Sequence, residues 1–209
     1  SSTSQVSLAT SVTPYTGLKD LTFSPDGSSV VITYNTTLDH YIEQHSLASA
    51  YVGSATRVTT LTDTGLSPNS SSRMSGSFNG DGTQFVFSLD QDFYSYTLST
   101  PYDLSTAGAR SSSLMDATTD LSLSTIYGWE FGKRGKQLII ADVSRTIREV
   151  TLSSAYDVST AALTANSYSH DTDTSSGVAL GISYDPSGER LFLFVSTSND
   201  IVFKYTTVN

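Results

Sequence analysis

The sequence predicts an all-β repeat protein, and three observations carry that expectation. A turn phrase occurs four times, as Phe23-Ser-Pro-Asp-Gly27, Phe78-Asn-Gly-Asp-Gly82, Phe131-Gly-Lys-Arg-Gly135 and Tyr184-Asp-Pro-Ser-Gly188, at spacings of 55, 53 and 53 residues. A second phrase follows the first three at a steady offset: Leu47-Ala-Ser-Ala-Tyr51, Leu98-Ser-Thr-Pro-Tyr102-Asp-Leu-Ser-Thr-Ala107 and Leu152-Ser-Ser-Ala-Tyr156-Asp-Val-Ser-Thr-Ala161. Between the phrases run short stretches of aromatic and β-branched residues broken by Gly, Asp, Asn, Ser and Pro, and no segment is patterned as a helix.

Each unit is predicted to hold four antiparallel strands. The first ends at Leu21/Phe23, Phe78, Trp129/Phe131 or Ile182/Tyr184. The second begins just after the turn glycine with Val30-Val31-Ile32, Phe85-Val86-Phe87, Leu138-Ile139-Ile140 or Leu191-Phe192-Leu193. These triplets are apolar on both pleat faces, so the strand must be covered on both sides. The third runs Tyr41 to Leu47, Phe93 to Leu98, Ile147 to Leu152 or Ile201 to Tyr205, and a more polar fourth lies near Arg57 to Leu61, Ala109 to Leu114 and Leu163 to Tyr168.

Small sheets whose second strand is buried on both faces suit radial packing, and the expectation is a four-bladed β-propeller. The blades are about 18–62, 72–115, 126–168, and 178–206 completed by 5–10. Residues 5–10 sit where an outer strand falls in the repeat, so the ring is expected to be sealed by pairing the N-terminal strand with the last blade, leaving no long open edge. The alternatives are a part of a larger wheel, completed by a further segment or a second copy, and a β-sandwich or solenoid of the same strands. The start at Ser1-Ser2-Thr3, without Met or an apolar leader, suggests a processed product.

The phrase Phe23-Ser-Pro-Asp-Gly27 followed by an apolar triplet resembles the blade turn of the WD40-like, TolB-like and YVTN propeller superfamily. The Leu98 to Ala107 phrase is similar to repeats of propeller-like proteins in phage and marine bacterial sequences. The resemblance spans almost the whole chain and implies blades rather than a chemistry. The Gly-His pair and Trp-Asp ending of WD40 repeats are absent, so no specific WD40 function is implied.

Composition narrows the function. Sixty-seven of 209 residues are Ser or Thr, only 11 are Lys or Arg, and the formal net charge is -9, which argues against nucleic-acid binding. No stretch approaches the ~18 continuous apolar residues of a membrane helix, so no membrane insertion is expected. The absence of cysteine removes disulfides, thiolate metal sites and Cys nucleophiles.

Candidates for chemistry are few. His40 and His45 lie at odd spacing in one strand and point to opposite faces, and His170 has no second His nearby. No Gly-x-Ser-x-Gly elbow marks a Ser nucleophile. The 16 Asp outnumber 4 Glu, but most occupy turn positions where a short carboxylate caps backbone amides, so the protein is read as non-catalytic. In each blade the second-to-third hairpin and the crossing to the next blade share one end, opposite the repeated phrases. The hairpins there carry Asp39, Asp92, Asp142 and Asp200, and the crossings carry Asp63, Asp120 and Asp173, with Asp116 and Asp171 beside them. Loops free of the repeat constraint are where binding is expected, the bland alternative being a solvated acidic surface.

No cofactor is predicted. Asp171-Thr-Asp173 is the densest oxygen cluster that could serve Ca²⁺, yet it lacks the EF-hand spacing. Lys133, Arg134 and Lys136 offer an alternative docking patch, since with Arg145 and Arg148 they put five of 11 basic residues within sixteen positions. Asn35 and Asn69 fit the N-glycosylation pattern. The preferred function is a structural, adhesive or docking propeller on a virion or extracellular surface, joined to protein partners or to copies of itself. The alternative is a carbohydrate-binding or carbohydrate-cleaving propeller with Trp129 and tyrosines as the sugar platform.

Overall fold

A computed structural model describes residues 17–37, 39–50, 52–63, 66, 72–169, 178–184, 190–196 and 201–206. Within them the chain is all-β and builds several antiparallel sheets. The first is β1 (Leu18–Phe23), β2 (Ser29–Asn35), β3 (His40–Ser49) and β4 (Val52–Asp63), in that spatial order. The second orders β5 (Met74–Phe78), β6 (Gln84–Leu89), β7 (Asp92–Leu98) and β8 (Ala107–Arg110), with β9 (Met115–Asp116) also paired to β7. The third is β10 (Ile126–Gly132), β11 (Gln137–Asp142), β12 (Thr146–Leu152) and β13 (Ala161–Ser169). The fourth is β14 (Val178–Tyr184), β15 (Arg190–Ser196) and β16 (Ile201–Thr206). No sheet among the described residues closes on itself. Residues 5–10 and the turn at 185–188, on which the expected ring closure and fourth turn phrase fall, lie outside the described residues.

The second strands behave as their composition requires. Every residue of β2 and β11 is buried, as are Phe85 to Leu89 of β6. β13 is almost entirely exposed or half-buried, as expected of an outer strand.

Both repeated phrases have a structural role. In the first turn, Gly27 takes φ 69°, and the Asp26 carboxylate accepts from Ser24 Oγ (2.7 Å), Ser28 N (3.0 Å) and Ser28 Oγ (2.8 Å). Asp81 does the same for Thr83 N and Oγ1 at 3.0 and 2.6 Å. These bonds hold both carboxyls below the usual range, led by the Ser28 amide at Asp26 and the Thr83 hydroxyl at Asp81. The second phrase then closes onto the first. Tyr102 lies flat on Gly82, donates its N–H to the Gly82 carbonyl (2.9 Å) and its hydroxyl to the Gly80 carbonyl (2.7 Å), and meets Phe78 edge-on at 5.4 Å. Tyr156 repeats the arrangement on Gly135 and Phe131, with its N–H 2.8 Å from the Gly135 carbonyl. Asp103 and Asp157 cap the 3₁₀ turns Leu104–Thr106 and Val158–Thr160 by accepting from Ser105 N and Ser159 N.

The chain divides into two compact units: the described residues through Val86 with Tyr96–Arg110, and Phe87–Ser95 with the described residues from Ser111 onward. In the first, polar bonds join β1–β3 to the elements that follow. Thr33 Oγ1 donates to Met74 O (3.1 Å) and Asn35 Nδ2 to Ser72 O (2.9 Å). The Gln44 amide serves both sides of one backbone segment, donating to Tyr102 O (2.6 Å) and accepting from Leu104 N (2.8 Å). In the second unit the joint is apolar. Ile139, Ala141 and Ile147 pack with Ile182, Leu191 and Leu193, and Gly128 approaches Gly181 so closely that a Cβ there would sit 3.3 Å from the Gly181 Cα.

Three expectations are revised. A five-residue helix, α1 (Ala117–Leu121), occurs where none was patterned, because Asp116 caps it through Thr118 N and Thr119 N. The outer strand expected over Ala109 to Leu114 instead stops at Arg110, and β9 takes over the pairing with β7. Asn35 is fully buried and bonded, so it is no glycosylation acceptor in the folded chain, while Asn69 lies outside the described residues.

Asp20 stands where β10 and β14 have Gly128 and Gly181, and its Oδ2 accepts the Gly76 N–H at 3.0 Å between β1 and β5. Burial, outweighing the hydrogen bonds from Gly76 and Leu21, raises its carboxyl to about 6. The folded state therefore keeps a proton that the unfolded state releases, and stability from this group is full below about pH 4 and is lost as pH rises through 6. Asp20→Asn retains an acceptor for Gly76. The prediction is a variant more stable than the parent by roughly 1–3 kcal/mol at pH 7.5, with the gap closing at pH 4, in urea unfolding across that range. A pH-independent gap would contradict it.

Candidate functional site

The hairpins and crossings expected to form a binding rim differ from one another in what they do. Between β2 and β3 the Thr36 N–H donates to the Asp39 carbonyl (3.0 Å), and the half-buried Asp39 accepts the Tyr41 hydroxyl at 3.2 Å. Between β11 and β12, Asp142 is only 1% exposed. Its Oδ1 accepts from Ser144 N (2.9 Å), the Ser144 hydroxyl and Thr146 N (3.3 Å), and its Oδ2 lies 3.7 Å from Arg148 Nε. Asp142 is thus the organiser of its own turn, in which Arg145 takes φ 61°, and its carboxylate does not reach a rim. Asp200 and Asp173 lie outside the described residues, and Asp63 ends β4 with its side chain undescribed.

The hairpin between β6 and β7 is different. Asp90 turns the chain at φ 54°, its carbonyl accepting Ile126 N (3.2 Å), while the Gln91 carbonyl accepts Ala117 N (2.9 Å). The hairpin and the crossing are thereby tied together by backbone. This places Asp92 directly opposite Asp116 in the β7–β9 register. Like charges facing across a strand pair are unfavourable. The consequence is visible at Asp92, whose carboxyl is raised by burial first and by Asp116 and Asp90 next, against the Ser113 hydroxyl bonded at 3.2 Å. Asp116 moves the other way, lowered chiefly by the Thr119 hydroxyl. Asp120 accepts the Asp116 N–H at 2.9 Å and is exposed in the first turn of α1. Asp90, Asp92 and Asp116 make a negative patch able to accept hydrogen bonds or attract a cationic group. Among the described residues no set of three or more acidic or His side chains is arranged to hold a metal ion.

The alternative basic patch falls in one turn. Arg134 and Lys136 are exposed in the turn between β10 and β11, where Lys136 donates to Ser153 O at 2.6 Å, and the Lys133 side chain is undescribed. Arg145 sits at the opposite end of β11.

Trp129 is 4% exposed, donates Nε1–H to Ser88 Oγ (2.9 Å) and packs on Phe93 and Phe131. It is a core residue, which corrects its expected place in a sugar platform. Both described histidines are buried as well: His40 bonds Asn35 Oδ1 at 3.0 Å, and His45 lies 3.2 Å from Glu43. Burial, the largest influence, lowers the His45 imidazole pKa, so this ring favours the neutral form. Glu43, fully buried in β3, also accepts the Tyr34 hydroxyl at 2.7 Å. This internal polar group and the Asp92–Asp116 opposition escaped sequence reasoning. The first is an Asp/Glu-free strand pattern broken by one Glu and His two apart, and the second depends on a register that no local pattern encodes.

Comparison with known proteins places the fold. No family model matches the chain, and no curated protein matches it. A Bacteroides uniformis protein assigned as a 6-phosphogluconolactonase aligns with 91% of this chain and 53% of its own, at TM-score 0.52 and 15% identity. The β-propeller domain of Cps50 (Swd1) from Myceliophteria thermophila aligns with 92% of this chain and 53% of its own, at TM-score 0.53 and 11% identity. The fold is propeller-like. The chain spans about half the length of these solved structures, and at such identities the likeness concerns the fold alone.

Proposed function

We propose that the protein is a non-catalytic four-bladed propeller that works as a structural, adhesive or docking module on a virion or extracellular surface. Its docking site on this reading is the acidic rim of Asp90, Asp92 and Asp116. The observation that carries the reading is the Asp92–Asp116 opposition, because capping α1 calls for Asp116 alone and a second carboxylate facing it across the strand pair adds like-charge repulsion. A partner presenting Lys or Arg would relieve that repulsion and gain charge-assisted hydrogen bonds. The buried states of His40, His45 and Trp129 favour docking over hydrolysis or sugar stacking.

Ring closure by residues 5–10 belongs to the same reading. It is supported by the repeat phase of those residues, by a three-stranded fourth sheet, and by first strands that lie side by side, β1 with β5 and β10 with β14. Deleting residues 1–12 is expected to lower the thermal midpoint cooperatively or to yield oligomers. An unchanged midpoint and a monomeric mass would mean that closure occurs otherwise.

The rim is tested by titrating an arginine-rich peptide, Ca²⁺ and a glycan array in parallel. Peptide binding should perturb amide signals of Gln91, Asp92 and the Asp116–Asp120 segment, and Asp92→Asn with Asp116→Asn should weaken it about tenfold or more without unfolding. Asp142→Asn should instead cost stability, about 1–3 kcal/mol, and leave affinity unchanged. Binding that survives the rim variants, or that requires Arg134 and Lys136, would overturn the assignment.

A further inference from the structure

Glycine follows Asp or Asn at three places in the chain: Asp26-Gly27, Asn79-Gly80 and Asp81-Gly82. Glycine has no Cβ to shield its amide nitrogen, so at such pairs this nitrogen can attack the carbonyl carbon of the preceding side chain and close a five-membered succinimide. The fold treats the three pairs differently. At both Asp pairs it opposes the reaction twice. The Gly27 N–H donates to Ser24 O (2.8 Å) and the Gly82 N–H to Asn79 O (3.1 Å), so each attacking nitrogen is held in its turn. Ring closure at an aspartate also needs a protonated carboxyl, and the Ser28 amide and the Thr83 hydroxyl hold Asp26 and Asp81 ionised below the usual range.

Asn79-Gly80 has neither restraint. Gly80 is exposed, and among the described residues its N–H meets no acceptor. An amide, unlike a carboxylate, carries its leaving group at neutral pH. What holds Asn79 back is its own side chain, whose Oδ1 accepts the Gln84 N–H (3.0 Å) and whose Nδ2 donates to Thr83 Oγ1 (3.2 Å). These bonds lie in a surface turn, where opening is a local event rather than global unfolding. Ser24, at the same place in the first turn, likewise accepts the Ser29 N–H (3.0 Å) and donates to Asp26, yet offers no carbonyl carbon to attack.

We propose that Asn79 is a site of spontaneous modification, converted through a succinimide to aspartate and isoaspartate, with release of its side chain from Thr83 and Gln84 as the gate. The Gly80 nitrogen gives its proton to solvent and bonds to Asn79 Cγ, the Cγ–Nδ2 bond breaks, and ammonia leaves. Water then opens the ring at either carbonyl. One opening gives aspartate, and the other gives isoaspartate, whose main chain runs through Cγ and is one atom longer. Both products replace the Nδ2 donor with a carboxylate in the turn that already holds Asp81, itself bonded to Thr83 Oγ1 at 2.6 Å. Isoaspartate also takes the Asn79 carbonyl, acceptor of the Gly82 N–H, out of the main chain and displaces the Gly80 carbonyl that accepts the Tyr102 hydroxyl. The modification thus loosens the contact of Tyr102 on Gly82. It is independent of the acidic rim.

Incubating the folded full chain at neutral and alkaline pH, followed by peptide mapping that separates asparagine, aspartate and isoaspartate, tests it. Asn79 should be converted before the other five asparagines, and faster at alkaline pH because the attacking nitrogen must lose its proton. Thr83→Ala removes one bond of the gate and should speed conversion about fivefold, with the rate at Asn166 in the other unit unchanged, while Thr83→Ser should keep the parent rate. Gly80→Ala should slow conversion about tenfold or more. The purified isoaspartate form should show a lower thermal midpoint and shifted Tyr102 ring signals. Conversion that appears first at another asparagine or at Asp26 or Asp81, an Asn79 amide that lasts in the parent as long as in Gly80→Ala, or a rate indifferent to Thr83→Ala contradicts the proposal.

Discussion

The positive-φ glycines and the tyrosines that lie on them hold the repeat together. Gly82 and Gly135 take φ 73° and 79°, and a Cβ at Gly82 would come within 2.5 Å of the Tyr102 ring. Tyr102 and Tyr156 themselves take φ 60° and 63°, an uncommon conformation for aromatic residues. Each tyrosine closes the hairpin of strands one and two against the segment that follows strand three, so three parts of a sheet are fixed by one stacked contact. From this follow the capped 3₁₀ turn, the start of the outer strand and, in the first unit, the backbone that Gln44 grips.

In the second and third sheets that constraint acts at one end and leaves the other end to vary. The varied end is where Asp142 settles into a buried turn while Asp92 and Asp116 are held face to face. The two outcomes come from the same residue type two strands along. Asp142 finds Ser144, Thr146 and Arg148 within reach, and Asp92 finds one hydroxyl and two further carboxylates. Stability is served in the first case and surrendered in the second.

The repeated turns, the doubly buried second strands and the polar outer strands were legible because each is encoded within a few residues. Phe85-Val86-Phe87 can sit only in a covered strand, and Pro25-Asp26-Gly27 only in a turn. Less was legible where pairing partners are distant. The replacement of β8 by β9 depends on Asp116 preferring to cap α1, and the exclusion of Asp142 from the surface depends on Arg148 reaching back across the hairpin. Asp20 gave no signal either, since its burial comes from the closeness of β1 to β5, which in the other unit is achieved by Gly128 and Gly181.

The role of the glycine–tyrosine contact is tested most directly by the unfolding free energy of Gly135→Ala, with Gly108→Ala as control. A methyl at Gly108 meets nothing nearer than 3.6 Å, so the control should stay within about 1 kcal/mol of the parent. At Gly135 the methyl must enter a left-handed backbone and displace the Tyr156 ring, and the expected loss is about 2–4 kcal/mol. A loss at Gly135 no larger than that at Gly108 would contradict the account.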